Sequence, residues 1–514
     1  MKVSVPRRLR QRTPGAPLAT ADWLESPEEA AGSAFQFAPG KGIWLGRSLH
    51  DDEAVYAVDD RHALVTAANR SGKGAAIITP TLATYRGSVA IIDPKGEAAT
   101  ITARFRAEKL GQKVVILDPF GVCGASPYSL SYNPLVALID AGENAVELAE
   151  GIADAIIVRN PSGEHDYWDD NAKALIVAII LLVCFSPALR PEQRNLPMVQ
   201  RILDGIEAPG DGAELGLEAL LIELRAGCGP EAARDAMLGA SERFVAMSAE
   251  ERGSCVTFAR RHLAFLSAPR MRHHMSLESR FRPMDLKTDA RGQSLYLVLP
   301  RNRMHSHARW LRLMIKCCME DWQSHDAHPA AGLPILNIID ELPVLGSMRE
   351  IEESAGFIAG YGVRFLFVIQ DLSQIQARFP KSWQTFIGNC GTLIAFANTD
   401  LETTKYLSER IGDTQIEIRQ ASSTTSEMVA THMPSALART SASEGVASNT
   451  KTQQTSAAES VSIVKTPLVL PNEIARMFRR EEERVLIIQA GENPLILKRA
   501  DYFRDAALRR ILEL

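Results

Sequence analysis

Three things are scarce in this sequence, and each scarcity narrows what the chain does. Cysteines are few and scattered. The seven, Cys123, Cys184, Cys228, Cys255, Cys317, Cys318 and Cys390, are odd in number and form no C-x-x-C pair. That excludes a disulfide framework and a paired-cysteine zinc site, and fits a reducing compartment. Long apolar runs are missing too. The longest, ALIVAIILLVCF at 174–185, would rise roughly 18 Å as a helix against ~30 Å of hydrocarbon. It stops at Ser186-Pro187, so it reads as a buried core helix and no membrane span is expected. The basic N-terminus, MKVSVPRRLRQRTPG, has no apolar stretch behind it, so no secretory signal is expected. Charge of one sign is also lacking. Lys and Arg number 57 against 62 Asp and Glu, a net charge of −5. Bulk electrostatics therefore does not point to nucleic acid, although a local basic surface stays open.

What the chain has is length and abrupt changes of texture. Its 514 residues suffice for more than one domain and a large core. No internal repeat is visible. Residues 1–40 are weakly patterned and carry a basic arm, Arg7, Arg8, Arg10 and Arg12, expected to be flexible. From residue 62, short continuous apolar runs recur: 62–68, 88–93, 113–118, 294–299, 334–340, 364–370, 392–398 and 484–490. Such runs suit strands of a parallel sheet covered on both faces. Several end in a polar residue, at Asp93, Asp118, Asp340, Gln370 and Asn398. Ligands of open α/β sheets bind at those carboxyl ends.

Between 140 and 285 the strand pattern gives way to successive helical patterns punctuated by Gly and Pro. This predicts an all-α domain inserted into an α/β domain whose parts are 41–139, 286–413 and 464–514. Residues 414–463 are rich in Ser, Thr, Ala and Gln and read as a disordered loop.

The first candidate site is AANRSGKGAAIITP, 67–80, between a strand and an apolar helix. The phosphate-loop pattern is G-x-x-x-x-G-K-[ST]. Here Ala67 replaces the first glycine and Gly74 the final hydroxyl residue. Backbone N–H groups from Asn69, Arg70, Ser71, Gly72, Lys73 and Gly74 would wrap a phosphate, with Lys73 reaching its outer oxygens. Ala67 is tolerable where φ is negative. Gly74 leaves a bound Mg²⁺ to water, phosphate oxygens and a distant acid, with Ser71 or Thr79 as substitutes. Pro80 predicts a kink or a short helix.

The second is PILNIIDELPVLGSM, where a strand ends in Asp340-Glu341. Asp340 would hold the metal through water, and Glu341 would orient and deprotonate an attacking water. The third is RFLFVIQDLSQI, where Gln370 closes a strand expected beside the acidic one. Gln370 would sense the γ-phosphate or the water. Arg364 and Arg410 are candidate trans arginines for a subunit interface. Arg260, Arg261, Arg270 and Arg272 lie in an Arg- and His-rich stretch and are candidate DNA contacts.

Together these segments resemble the TraG-like coupling ATPases of type IV secretion, the conjugative DNA transfer proteins. The resemblance rests on NRSGKG with its Pro80 helix, IIDPKGE (91–97), YNPL (132–135), DELPVLG (340–346), AGYGVRFLFVIQDLSQI (359–375) and TPLVLPNEIARM (466–477), across about 40–500. The resemblance also accommodates Ala67 and Gly74. It implies a RecA-like P-loop NTPase domain with an inserted all-α domain, ATP and Mg²⁺ as ligands, and a homo-hexameric ring. It implies delivery of relaxase-bound single-stranded DNA from a relaxosome to a type IV secretion channel. Protein effectors as cargo, and a non-hydrolysing docking adaptor, are the alternatives. Typical members carry two N-terminal membrane helices not seen here. The expected location is therefore cytoplasmic and peripheral to the inner membrane, reached through a partner or the basic arm.

Overall fold

The computed structural model describes residues 21–29, 35–36, 40–159, 165–206, 214–345, 351, 356–380, 382–430 and 450–514. The basic arm falls outside them. Two compact units emerge, and residues 406–470 belong to one of them.

The larger unit is built on a twelve-stranded mixed sheet. Its strands are β1 (Phe35–Gln36), β2 (Ile43–Arg47), β3 (Ala54–Ala57), β4 (His62–Ala67), β5 (Val89–Asp93), β6 (Lys113–Leu117), β7 (Gln293–Val298), β8 (Ile335–Asp340), β9 (Val363–Ile369) and β10 (Cys390–Phe396). After β11 (Asp413–Ala430) and β12 (Thr450–Pro467), which lie in the other unit, come β13 (Arg484–Gln489) and β14 (Leu495–Lys498). The order across the sheet is β1-β3-β2-β14-β13-β10-β4-β9-β8-β5-β7-β6. The seven strands from β10 to β6 are all parallel, and β13 joins β10 antiparallel. All eight apolar runs are strands of this sheet. Every residue of β4, β9 and β10 is buried. Two covered faces explain why these runs are continuous rather than alternating.

The helical stretch leaves the sheet after β6 and returns at β7; among its described residues there is no strand. Its helix Asp166–Phe185 is buried from Leu175 to Cys184, which accounts for the apolar run. No helix among the described residues is long and apolar enough to cross a membrane.

Arg106 locks the sheet edge from within. It has no solvent exposure, and burial pushes its pKa down to about 10. Its guanidinium donates to Ser294 Oγ, to the Leu82, Tyr85 and Gly87 carbonyls and to Gln112 Oε1. One helix side chain thus satisfies the chain turning into β5 and the neighbouring strand β7.

The other unit contains an antiparallel ribbon. β11 pairs with β12 from Asp413↔Pro467 to Ala430↔Thr450. This corrects the disordered loop expected at 414–463, of which 431–449 lie outside the described residues. Low apolar content excludes a packed core but not a backbone ladder, and Thr, Val and Ile favour extended chain.

Candidate functional site

β9 lies between β4 and β8, so the three segments singled out by sequence leave adjacent carboxyl ends. The phosphate-loop segment follows β4. Ala67 is the last residue of that strand, where extended backbone imposes no penalty on a side chain. The demand for glycine falls at Gly72, whose φ is +93°; Arg70 also takes a left-handed φ, +58°. At Gly74 a Cβ would meet nothing within 4 Å, so space does not forbid a larger residue there.

Lys73 Nζ donates to Ala67 O at 2.6 Å and Ala68 O at 3.2 Å, folded back over its own loop. Burial pulls its ammonium below the usual range, against Asp340 and Glu341, which pull it up. Past Lys73 the chain makes a wide turn, Gly74–Ile78, in which Thr79 N–H donates to Gly74 O. The helix Thr79–Thr84 follows, with Pro80 in its first turn. The expected kink at Pro80 is this turn. A proline offers no N–H to the preceding ladder, and the extra residue absorbs the mismatch.

Asp340 ends β8. Burial raises its carboxyl to about 6, the negative charge of Glu341 adds to the rise, and Lys73 opposes it. Glu341 has φ +76°, a conformation costing ~1–3 kcal/mol in a residue with a side chain. Its two oxygens are both occupied. Gln370 Nε2 donates to Oε1 at 3.0 Å, and Arg301 Nη2 donates to Oε2 at 3.2 Å. Lys73, Asp340, Glu341 and Gln370 are thus brought together.

Arg301 was not among the residues singled out by sequence. It begins the helix Arg301–Gln323 immediately after β7, behind Pro300. The signal was available, since a charged residue does follow that strand's carboxyl end. Asn398 was noted only as a strand ending. Its Nδ2 donates to Thr66 Oγ1 at 3.0 Å, joining the ends of β10 and β4.

Other strand endings serve their own loops. Asp93 accepts from the N–H groups of Lys95, Glu97 and Ala99, and Asp118 from Cys123. Asp118 Oδ1 is buried without a hydrogen-bond partner.

The arginine expectations need correction at one position, Arg364. Arg364 is buried in β9, and it donates to Arg61 O and Ala57 O at the amino end of the parallel strands. Burial lowers its pKa to about 10. It cannot extend to a neighbouring subunit's nucleotide. Arg260 donates to the carbonyls of Leu203, Asp204 and Ile206, closing the end of the helix Leu196–Asp204. Its Nε and Nη2 are spent inside the helical region, while its side chain stays 32% exposed. Arg261 is exposed with its guanidinium 4.8 Å from the Phe258 ring centroid, Arg270 is exposed and bonds Phe120 O, and Arg272 is exposed. Arg410 is exposed in the last turn of the helix Leu401–Ile411.

Among the described residues no three His, Cys, Asp or Glu side chains form a metal-binding cluster. A divalent ion here would depend on Asp340 together with phosphate oxygens and water. The open space beside Gly74 and the raised carboxyl of Asp340 fit that arrangement. Ser71 Oγ is buried and has no hydrogen-bond partner, while Thr79 is buried at the start of its helix.

The family described as type IV secretory system conjugative DNA transfer matches residues 17–513. The chain belongs to that family. It is 27% identical to the conjugal transfer protein TraG of Escherichia coli over 461 residues, covering 86% of this chain and 67% of that protein. It is 26% identical to protein VirD4 of Rhizobium rhizogenes, covering 96% of this chain and 65% of that protein. The chain therefore spans about two thirds of the length of these relatives. Among solved structures, the conjugative coupling protein TrwB in its unbound form superposes with a TM-score of 0.59 at 15% identity, over 86% of this chain and 85% of that one. TrwB in complex with ADP and Mg²⁺ gives 0.58 at 16% identity, over 86% of each. The likeness establishes the RecA-like P-loop fold for this member of the family.

Proposed function

We propose that this chain is an ATP-hydrolysing coupling motor that brings relaxase-bound single-stranded DNA to a type IV secretion channel. The observation that carries this is the meeting of Lys73, Asp340, Glu341 and Gln370 at the ends of β4, β8 and β9, in a member of a conjugative transfer family. A docking adaptor that never hydrolyses nucleotide has no use for a carboxylate at Glu341, beside Lys73 and the metal-binding acid Asp340.

In this mechanism the loop N–H groups from Asn69 to Gly74 bind the β-phosphate of ATP. Lys73 leaves the Ala67 and Ala68 carbonyls and turns to the β- and γ-phosphate oxygens. Asp340 would hold Mg²⁺ through water, and the ion would supply charge neutralisation for the phosphates. Glu341 accepts a proton from the water that attacks the γ-phosphorus, and the bond to the ADP oxygen breaks. Gln370, bonded to Glu341, carries the state of the γ-phosphate into β9. TrwB crystallised with ADP and Mg²⁺, and with ATP and GTP analogues, supports a nucleotide in this loop. Assembly as a hexamer, and attachment at the inner membrane through a partner, belong to the same reading. Arg410 remains the candidate for a trans arginine, and Arg260, Arg261, Arg270 and Arg272 for DNA.

The test is ATP turnover measured against protein concentration, with and without single-stranded DNA. The reading requires cooperative dependence on protein and stimulation by DNA. Turnover indifferent to DNA, with tight binding of a protein substrate to residues 140–285, would favour effector transport. No turnover under any condition would leave the adaptor.

A further inference from the structure

The last strand of the sheet reaches under the phosphate loop. Arg499, one residue past β14, donates from Nη1 to the Ser71 carbonyl at 3.2 Å. That carbonyl and the Gly72 N–H share one peptide plane. In a trans peptide they point in opposite directions. Tying the carbonyl down to Arg499 therefore aims the Gly72 N–H away from the core, where a phosphate-binding loop needs it. Gly72, at φ +93°, has no side chain to keep the plane from turning over. An external anchor is what fixes it.

Arg499 is itself enclosed and ion-paired, although its Nε makes no hydrogen bond. It is 6% exposed, its guanidinium carbon lies 5.7 Å from the Phe396 ring centroid, and Nε stands 3.4 Å from Asp501 Oδ1. Asp501 Oδ1 would lie 3.7 Å from a Cβ placed on Gly72, directly beneath the loop. One residue further, Tyr502 N–H donates to Ala75 O at 2.9 Å. In a regular helix that carbonyl would accept from Thr79, whose N–H is instead drawn to Gly74 by the wide turn. Residues 499–502 thus hold the chain on both sides of Lys73.

We propose that Arg499, steadied by Asp501, is a positioning residue for the nucleotide phosphates. It sets the Ser71–Gly72 peptide for binding, its own charge being offset by the Asp501 carboxylate beside it. This rests on the nucleotide site proposed above. Its role lies in binding rather than in the chemical step, because it touches the back of the loop and not Glu341.

The full chain is tested with a fluorescent ADP in the presence of Mg²⁺, and with ATP in steady-state turnover. Arg499→Gln is expected to weaken ADP binding about tenfold, the size of one lost charge-assisted bond, and to raise KM for ATP similarly. Its kcat should stay within about twofold, since the chemical groups are untouched. Arg499→Lys should recover most of the affinity, which a packing role alone would not predict. Asp501→Asn, nearly isosteric, should give a smaller loss in the same direction. Melting of the nucleotide-free variants reports on folding. If Arg499→Gln does not fold, Asp501→Asn decides, and an unchanged KM there overturns the proposal. Wild-type ADP affinity in a folded Arg499→Gln overturns it while leaving the nucleotide site intact. A wild type that binds no ADP overturns both.

Discussion

Arg301 Nη2 stands 3.2 Å from Glu341 Oε2, so the residue proposed to activate water is held in an ion pair across the ends of β7 and β8. Gln370 occupies the other oxygen. A carboxylate bonded on both sides is poorly placed to take a proton from water. Arg301 is half exposed, so the pair is weak, about 0.2–1 kcal/mol. Arg301→Ala should therefore raise basal ATP turnover by about two- to fivefold. A steady-state assay without DNA measures it, and a fall in turnover would show that Arg301 serves the reaction instead.

Lys73 and Glu341 should fail differently. Lys73→Ala removes the cation facing the phosphates and should weaken ATP binding. Glu341→Gln keeps the shape and the Gln370 contact but cannot accept a proton. It should bind ATP near wild-type strength and lose about 10²–10⁴-fold in kcat. Equilibrium binding and single-turnover assays on both variants separate the roles; equal activity in all three proteins would rule out the enzyme.

The carboxyl of Asp340 supplies a pH prediction. Burial holds it at about 6, above its value in an unfolded chain, so the folded nucleotide-free protein binds that proton more readily. Above pH 6 the ionised group costs folding stability. As pH falls from 7 through 6 towards 4, that cost is relieved. Asp340→Asn should therefore raise the melting temperature at pH 7.5 and give little gain at pH 4.5. The same substitution should weaken Mg²⁺-dependent nucleotide binding at pH 7.5. Thermal melts at the two pH values read the first effect and a Mg²⁺ titration the second.

Arg106 predicts stability independently of nucleotide. Arg106→Ala strands the Leu82 and Tyr85 carbonyls in the core and leaves Gly87 O and Gln112 Oε1 with one donor each, Gln112 Nε2 and Ser294 Oγ. Removing a buried, fully bonded side chain of this kind should cost ~3–5 kcal/mol. Urea unfolding of the larger unit measures it; a loss below about 1 kcal/mol would mean that water replaces the guanidinium.

The sheet was legible because its parallel strands are covered on both faces, which writes them as unbroken apolar runs such as those of β4 and β9. The site was legible because it hangs from the polar ends of those strands. What escaped depends on partners distant in sequence. Arg364 and Arg260 look like surface cations until the carbonyls they bind are in place. Arg301 hid behind Pro300, and its meaning rests on Glu341, 40 residues on. The ribbon escaped because its composition reports the want of a core, whereas its order lies in a backbone ladder.

The wide turn Gly74–Ile78 separates two alignments that a regular helix would couple. One residue of α-helix corresponds to about 100° of rotation about the axis. Every residue of Thr79–Thr84 is buried, and the extra residue lets that helix keep its own rotational setting while the backbone around Lys73 keeps another. Replacing Pro80 by a residue with an N–H would let the ladder close to a uniform pitch. The buried helix and the phosphate-facing end would then have to share a single rotational setting.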